Sequence, residues 1–159
     1  PESLISELEI RRRFKHLIPE KLREQFTRDS PIEIRAVKPM NYTAPDIRSP
    51  YKQNWFRAVA ELPDDLALHQ CILTYASDFG LLGTSMLPHG VTFAQKGMQV
   101  ASLDHAIWFH RPFRVDDWLL YDMDSPSASQ GRGFNRGNIY NQQGELVASV
   151  CQEALIRQT

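Results

Sequence analysis

Two polar side chains stand where the surrounding pattern predicts apolar ones, and both are of types that take part in catalysis. The first is Asp78, which falls inside the stretch 66–82, where apolar residues recur at helical spacing. An ionised carboxylate is costly to bury unless it is paired, so this position indicates a partner or a chemical role. The other interpretation is a local break in the helix that Asp78 caps, because Ser77 precedes it and Gly80 follows it.

The second is Gln152, which lies on the predicted strand 145–157. The even positions of this strand form its buried face. They are Leu146, Ala148, Val150, Gln152, Ala154 and Ile156. A buried amide must be hydrogen bonded, and it offers two donor hydrogens and an acceptor oxygen. We therefore expect Gln152 to meet another polar group inside the fold.

A third candidate region is the predicted strand 99–110, whose alternation does not reveal which face is buried. Ser102 and Asp104 share one face, and the pattern favours exposure of this serine on the outer side of the sheet. His105 and His110 fall on opposite faces, so they cannot share a metal ion. The other histidines are scattered along the chain, and the sequence predicts no metal site.

Two further segments resemble catalytic motifs only in composition. Ser85 does not stand in the G-x-S-x-G motif of a nucleophile elbow, because Leu87 occupies the position of the second glycine. The run that contains Gly131, Gly133 and Gly137 falls in a predicted strand pair and is not a phosphate loop. We interpret its glycines as bulges where the sheet bends. Neither segment predicts a cofactor.

Composition and charge argue against several classes of protein. The chain has 159 residues, 42% of them apolar and 23% charged, which predicts one globular domain with a real core. Its net charge is −1 and no basic block alternates with aromatic residues, so no nucleic-acid surface is expected. No apolar run approaches the roughly 18 residues of a spanning helix. Cys71 and Cys151 do not form a CxxC pair, which favours a reducing compartment.

Periodicity predicts the elements that must position these residues. Residues 1–30 are charged and amphipathic, Pro19 divides them into two short helices, and we interpret them as a linker before a domain at 31–159. Pro63-Asp64-Asp65 marks the start of the long helix. A loop is predicted at 40–51. Strands are predicted at 31–38, 54–62, 99–110, 117–123, 131–141 and 145–157, the last four as an antiparallel meander.

The predicted helix is apolar on several sides, so it must be wrapped rather than laid on a surface. A curved antiparallel sheet around one long central helix meets this need, and the fold class is α+β. Eight Phe, five Tyr and three Trp provide enough large side chains to fill the space between sheet and helix.

Seven short motifs, in this order and at this spacing, closely resemble the acyl-CoA thioesterase II (TesB-like) family over residues 18–157. They are Tyr75-Ala76-Ser77-Asp78, Ser102-Leu103-Asp104-His105, Trp108-Phe109-His110-Arg111-Pro112-Phe113, Trp118-Leu119-Leu120-Tyr121, Arg132-Gly133-Phe134, Leu146-Val147-Ala148-Ser149 and Gln152-Glu153. The resemblance implies a hotdog fold, an antiparallel sheet wrapped around a central helix. Members carry two such domains in tandem, and this chain resembles the second domain with the preceding linker, without the first.

The resemblance also implies a site and a reaction. In the family, an Asp, a Ser or Thr and a Gln of the second domain hold the hydrolytic water, and they correspond to Asp78, Ser102 and Gln152. The resemblance therefore reverses the interpretation of Ser102 that alternation favours. The implied reaction converts an acyl-CoA thioester into a free fatty acid and coenzyme A. It needs no cofactor or metal, since coenzyme A is part of the substrate.

The implied partners are an acyl-CoA substrate and the missing N-terminal hotdog domain of the same protein, and the isolated half is expected to form a homo-oligomer. Neither nucleic acid nor membrane insertion is expected, and the lack of a Ser-Lys-Leu ending favours the cytoplasm. Two alternatives stay open. A hotdog hydratase or dehydratase for enoyl or hydroxyacyl thioesters would need His105 to face Asp78. A non-catalytic acyl-binding or structural half-domain would need no catalytic groups.

Overall fold

Seven antiparallel strands and three α-helices make up the described part of the chain, residues 1–18, 20–39, 46–93 and 95–159 of a computed structural model. The helices are α1 (Glu7–Arg13), α2 (Glu20–Thr27) and α3 (Leu66–Ser77). The strands are β1 (Ile32–Ala36), β2 (Tyr51–Ala58), β3 (Met98–Ser102), β4 (Ala106–Phe109), β5 (Leu119–Ser129), β6 (Arg132–Tyr140) and β7 (Leu146–Gln158). Short 3₁₀ turns lie at Lys15–Leu17, Leu82–Thr84 and Leu87–His89.

The strands follow the order β1-β2-β5-β6-β7, and both β3 and β4 pair with the far side of β7. Strands β5, β6 and β7 are successive neighbours, as a meander requires. The predicted four-strand meander is wrong for the segment 99–110, because that segment crosses to the far edge of the sheet. The crossing places Ser102 at the end of β3 opposite Ala154 of β7, two residues from Gln152.

The prediction of one strand at 99–110 is wrong in a second respect, because residues 103–105 separate β3 from β4. The Leu103 N–H still donates to the Glu153 carbonyl at 2.9 Å. The Glu153 N–H donates to the Asp104 carboxylate at 2.7 Å rather than to a backbone carbonyl. A side chain that takes the place of a ladder acceptor competes with the regular strand. The chain therefore turns here. His105 lies between the two strands, so the alternation of a strand does not determine the direction of its side chain.

Helix α3 packs Leu73 and Ala76 into the main core, together with Phe56 and Leu119 of the sheet. Its other side is open, and Tyr75 is 57% exposed. The predicted α+β arrangement of an antiparallel sheet against one main helix is confirmed. The helix, however, is covered on one side and not on several, since its buried residues are His69, Leu73, Ala76 and Ser77.

The prediction of one helix over 66–82 is wrong at its C-terminal end. The helix begins after the predicted cap, where the Asp65 side chain accepts two backbone N–H groups, and it ends at Ser77. Asp78 is its C-cap residue, and Gly80 then adopts φ +80°, a left-handed conformation that glycine reaches without strain. The alternative of a local break at Asp78 is therefore confirmed.

Two glycines of β6 allow neighbouring elements to approach the sheet closely. A Cβ at Gly137 would lie 2.2 Å from the Tyr121 ring, and a Cβ at Gly133 would lie 2.3 Å from the Ser85 hydroxyl. The irregular pairings of β6 lie elsewhere, near Asp124 and Tyr140. The interpretation of these two glycines as bulges is therefore wrong, since their role is to leave room for side chains.

The substitution Gly137→Ala should destabilise the fold. A methyl group here overlaps the buried Tyr121 ring, and overpacking a core typically costs about 1–3 kcal/mol. Urea unfolding should show this loss, with Gly83→Ala as the matched control, because a Cβ at Gly83 meets its nearest neighbours at an ordinary 3.5 Å. A Gly137→Ala variant as stable as the natural sequence would show that Tyr121 is loosely packed.

The N-terminal segment packs against the first strand of the sheet. The Arg35 guanidinium on β1 donates to the carbonyls of Pro1 and Glu2, at 3.0 and 3.1 Å. Helices α1 and α2 are the two short helices predicted within residues 1–30. Pro19, which is predicted to separate them, lies outside the described residues. Residues 40–45 of the predicted loop also lie outside them. The domain boundary at residue 30 stays a prediction. No helix of the described part is both long and apolar enough to cross a bilayer.

Candidate active site

Three elements distant in sequence bring the three predicted residues into direct contact. Asp78 follows α3, Ser102 ends β3 and Gln152 lies in the middle of β7. The Ser102 hydroxyl donates to Asp78 Oδ1 at 3.2 Å across 24 residues of sequence. The Gln152 Nε2 amide donates to the same oxygen at 2.5 Å across 74 residues. The structure therefore assembles one polar cluster from positions that the sequence singled out separately.

The three side chains differ in exposure, and one expectation about them is wrong. The prediction that Gln152 is buried on the inner face of β7 is confirmed, because its exposure is 0%. The Asp78 side chain is 51% exposed, so it is not the buried carboxylate that a continuous helix would have made it. Because α3 ends at Ser77, the next residue turns toward solvent. Ser102 is also exposed, but its hydroxyl points at Asp78.

The two oxygens of the Asp78 carboxylate have different surroundings. Oδ1 accepts from Ser102 and from Gln152. Oδ2 has no hydrogen-bond donor among the residues that the structure describes. An ionised carboxylate has lone pairs on both oxygens, so Oδ2 can still accept a hydrogen from a molecule that approaches from outside. The donors to Oδ1 hold the carboxylate in one orientation while they leave this second oxygen available.

An open groove lies in front of this carboxylate, with a volume of about 460 Å³. Its polar wall includes Asp78, Ser102 and His105, and its apolar wall includes Tyr75, Phe79 and Leu103. Gln152 does not reach the groove and contacts the carboxylate from behind. A molecule in the groove would therefore meet Asp78 and Ser102 directly. Pockets with a mostly apolar lining and a few convergent polar groups are typical of small-molecule sites.

His105 belongs to this cluster, although the pattern did not identify it as a site residue. Its Nδ1 lies 3.1 Å from Gln152 Nε2 and 3.9 Å from Asp78 Oδ1. Its Nε2 lies 2.8 Å from the Ser77 hydroxyl. The strand alternation assumed for 99–110 hid this contact. The signal that could have revealed it is Asp104, since an aspartate inside a predicted strand is unfavourable and marks a break.

Ser77 is a second residue of the site that the pattern missed. It is fully buried at the end of α3, and its hydroxyl donates to the Thr74 carbonyl at 2.9 Å. The Tyr121 hydroxyl donates to the Ser77 carbonyl at 2.8 Å. Burial, together with the negative charge of Asp78, holds the pKa of the Tyr121 phenol well above its usual range. Tyr121 therefore stays a neutral donor, which fixes the last turn of the helix.

No metal-binding cluster accompanies these groups. Nowhere in residues 1–18, 20–39, 46–93 and 95–159 do three or more His, Cys, Asp or Glu side chains lie close enough together to hold a metal ion. The chemistry that the arrangement supports directly is proton transfer at a carboxylate of fixed orientation, next to a hydroxyl and an amide.

Comparison with known proteins points to one kind of enzyme. Residues 21–155 match the family model described as acyl-CoA thioesterase. The chain is 40% identical over 158 residues to "Acyl-CoA thioesterase 2" of Haemophilus influenzae, which covers 99% of this chain and 55% of the relative. It is 39% identical over 128 residues to the human "Acyl-coenzyme A thioesterase 8", which covers 80% of this chain and 40% of the relative.

Solved structures agree with these matches. The acyl-CoA thioesterase II TesB2 of Mycobacterium marinum superimposes with a TM-score of 0.72 at 40% identity, over 100% of this chain and 54% of that one. A protein of Alicyclobacillus acidocaldarius described as having a hot dog fold superimposes with a TM-score of 0.62 at 14% identity, over 81% of this chain and 46% of that one. The predicted hotdog fold is confirmed. The chain spans only about two fifths to just over half the length of the curated relatives just described.

Proposed function

This chain belongs to the acyl-CoA thioesterase family, and from that premise we propose that it carries the acid–base groups of a site that hydrolyses acyl-CoA thioesters to a free fatty acid and coenzyme A. The observation that carries the proposal is the contact of Ser102 and Gln152 with one oxygen of Asp78, a residue that lines the groove, while its second oxygen has no donor among the described residues. That is the arrangement that a general base needs, since it must be oriented and still reach the proton that it takes.

The reaction that fits this geometry is direct attack by water. Asp78 Oδ2 accepts a proton from a water molecule, and the water oxygen bonds to the thioester carbon. The resulting tetrahedral oxyanion collapses, the carbon–sulfur bond breaks, and the sulfur receives the proton that Asp78 took, so that coenzyme A leaves as its thiol. No acyl-enzyme forms. A positioned general base typically contributes about 10²–10⁴-fold to such a reaction.

Gln152 has a defined part in this scheme. Both hydrogens of its amide have acceptors, one at Asp78 Oδ1 and one at His105 Nδ1. This supports a role in holding the carboxylate rather than in binding the oxyanion of the intermediate. Oxyanion donors must lie about 3 Å from the developing charge, and Gln152 is buried behind Asp78. A backbone N–H at the groove is the better candidate for that donor.

The proposal includes a second hotdog domain that completes the groove. The relatives extend well beyond the length of this chain. Large apolar side chains that line the groove are exposed, among them Tyr75 at 57% and Leu103 at 53%. Such a surface is typical of a protein interface. We expect the tandem domain to cover it, and the isolated half to pair with itself instead. The cytoplasmic location remains a prediction from the sequence.

One observation favours a second candidate function. His105 Nδ1 lies 3.9 Å from Asp78 Oδ1, which meets the condition stated above for a hydratase or dehydratase of enoyl or hydroxyacyl thioesters. Such an enzyme, however, needs a histidine that is free to exchange a proton with substrate. Both ring nitrogens of His105 have partners inside the protein, at Gln152 and Ser77. This engagement favours hydrolysis.

The natural full-length protein should release thiol from saturated acyl-CoA, followed with a thiol reagent, and should leave the double bond of crotonyl-CoA intact in the same buffer. Hydration of crotonyl-CoA faster than thiol release would replace thioester hydrolysis by the hydratase function. Binding of acyl-CoA without either reaction would identify a non-catalytic acyl-binding module and would contradict the proposal.

A further inference from the structure

The imidazole of His105 lies between the candidate active site and the end of α3, and the water attack described above gives it no step. Its Nδ1 meets Gln152 Nε2 at 3.1 Å, and its Nε2 meets the Ser77 hydroxyl at 2.8 Å. Its side chain is only 19% exposed, although an edge of it lines the groove. A residue that is satisfied on both sides and largely shielded from substrate acts through its neighbours.

The end of α3 determines which nitrogen of His105 carries the hydrogen. The Ser77 hydroxyl donates its one hydrogen to the Thr74 carbonyl, so it meets His105 as an acceptor. His105 Nε2 must therefore carry a hydrogen. The Tyr121 hydroxyl donates to the Ser77 carbonyl and keeps this turn in place. In the neutral ring the other nitrogen, Nδ1, is then unprotonated and accepts a hydrogen bond.

This tautomer decides how the Gln152 amide is oriented. The oxygen and nitrogen ends of an amide have nearly the same shape, so only its partners distinguish them. The Asp78 carboxylate accepts hydrogens and does not donate them, and the unprotonated Nδ1 of His105 does the same. Both require the NH₂ end of Gln152. Its Oε1 is then directed away from them and has no hydrogen-bond partner among the described residues.

We infer that His105 is a positioning residue, which locks the Gln152 amide with its two hydrogens toward Asp78 and His105 and thereby holds the catalytic carboxylate. The inference rests on the proposed thioester hydrolysis. With His105 present, rotation of the amide by 180° would break two hydrogen bonds and place Oε1 against two acceptors. Without it, Asp78 alone opposes the rotation, and the carboxylate loses its fixed orientation whenever the amide turns.

Kinetics of the full-length protein test this inference with three variants. In His105→Leu, kcat should fall by about 10–100-fold with little change in KM, since small errors of placement cost rates of this order. His105→Asn should recover much of the loss, because its Oδ1 offers an acceptor near the position of Nδ1. His110→Leu is the matched control, because His110 is exposed and contacts Ser149 at 3.0 Å outside the site. Natural kcat in His105→Leu, or an Asn variant as slow as the Leu variant, would overturn the inference.

A spectroscopic measurement on the unsubstituted protein gives an independent result, which does not depend on the activity of any variant. Long-range ¹H–¹⁵N correlation spectra of the histidine rings, with His105 assigned from the His105→Asn spectrum, should show a neutral ring with hydrogen on Nε2. Hydrogen on Nδ1 at neutral pH would contradict the inference. The spectra and the kinetics test the two proposals separately. If Asp78→Asn hydrolyses thioesters normally, the proposed function fails, while the spectra still report the tautomer of His105.

Discussion

Replacing Asp78 by Asn should lower kcat of the full-length protein by about 10²–10⁴-fold, the typical contribution of a general base. The asparagine oxygen can still accept hydrogen bonds from Ser102 and Gln152, so the cluster keeps its shape. The amide NH₂ that takes the place of Oδ2 cannot accept a proton from water. KM should change little, because Asn has nearly the same shape as Asp and the apolar wall of the groove is not altered. Steady-state thiol release over a range of acyl-CoA concentrations measures both constants.

The matched control for this variant is Asp124→Asn. Asp124 pairs with Arg136 on the neighbouring strand and takes no part in the cluster, yet the change removes the same charge. Its kcat should equal that of the natural sequence. If Asp78→Asn keeps more than about a tenth of the natural kcat, Asp78 is not the base, because the expected loss is at least about 10²-fold.

The second large effect should follow from Gln152→Met, which removes the amide with little change of shape. We expect kcat to fall by at least about 10²-fold, which is comparable to the loss of one preorganised polar contact in other enzymes. Stability should fall by about 1–3 kcal/mol, because the change leaves Asp78 Oδ1 and His105 Nδ1 without their common donor.

The change in kcat and the change in stability of the Gln152→Met variant together distinguish a functional amide from a structural one. Thermal unfolding and thiol release should be measured on the same preparation of the Gln152→Met variant. A large fall in melting temperature with a proportional loss of activity would assign Gln152 to the core of the sheet. A loss of activity of at least about 10²-fold in a variant that is still fully folded at the assay temperature supports its role at Asp78.

The sequence identified the site residues for different reasons and with different success. Gln152 was predicted from alternation alone, because β7 alternates regularly from Ala148 to Ala154 and one polar residue interrupts an apolar face. Ser102 was predicted only through the family resemblance. Its partner is Asp78, which follows α3 and does not belong to the sheet. Alternation along one strand carries no information about such a neighbouring element.

Asp78 was identified for a reason that is only partly correct. The apolar residues after it, such as Leu81 and Leu82, are buried in turns that follow α3 and do not continue the helix. Helical spacing cannot separate these two cases, because a 3₁₀ turn and a helix bury residues at similar intervals. Gly80 was the local signal for the break. A polar residue does stand among apolar ones at this point of the sequence, but the reason is that the helix ends there. The Asp78 carboxylate is half exposed rather than buried.

Alternation along one strand predicted neither the contact of His105 nor the strand order. The contact of His105 with Gln152 exists because Asp104 takes the place of a backbone acceptor and ends β3 early. The pairing of β3 and β4 with β7 joins segments that lie far apart in the sequence. Local propensity determines where strands form, and tertiary packing determines which strands become neighbours.

The most direct test of the account is a double-mutant comparison of Asp78→Asn, Gln152→Met and the variant with both changes, measured as kcat in the full-length protein. If Gln152 works by holding the Asp78 carboxylate, its loss should matter little once the base is gone, since residues that act as one unit are not additive. The account predicts that the double variant is within a few-fold of Asp78→Asn alone. A double variant whose loss equals the product of the two single losses would contradict it.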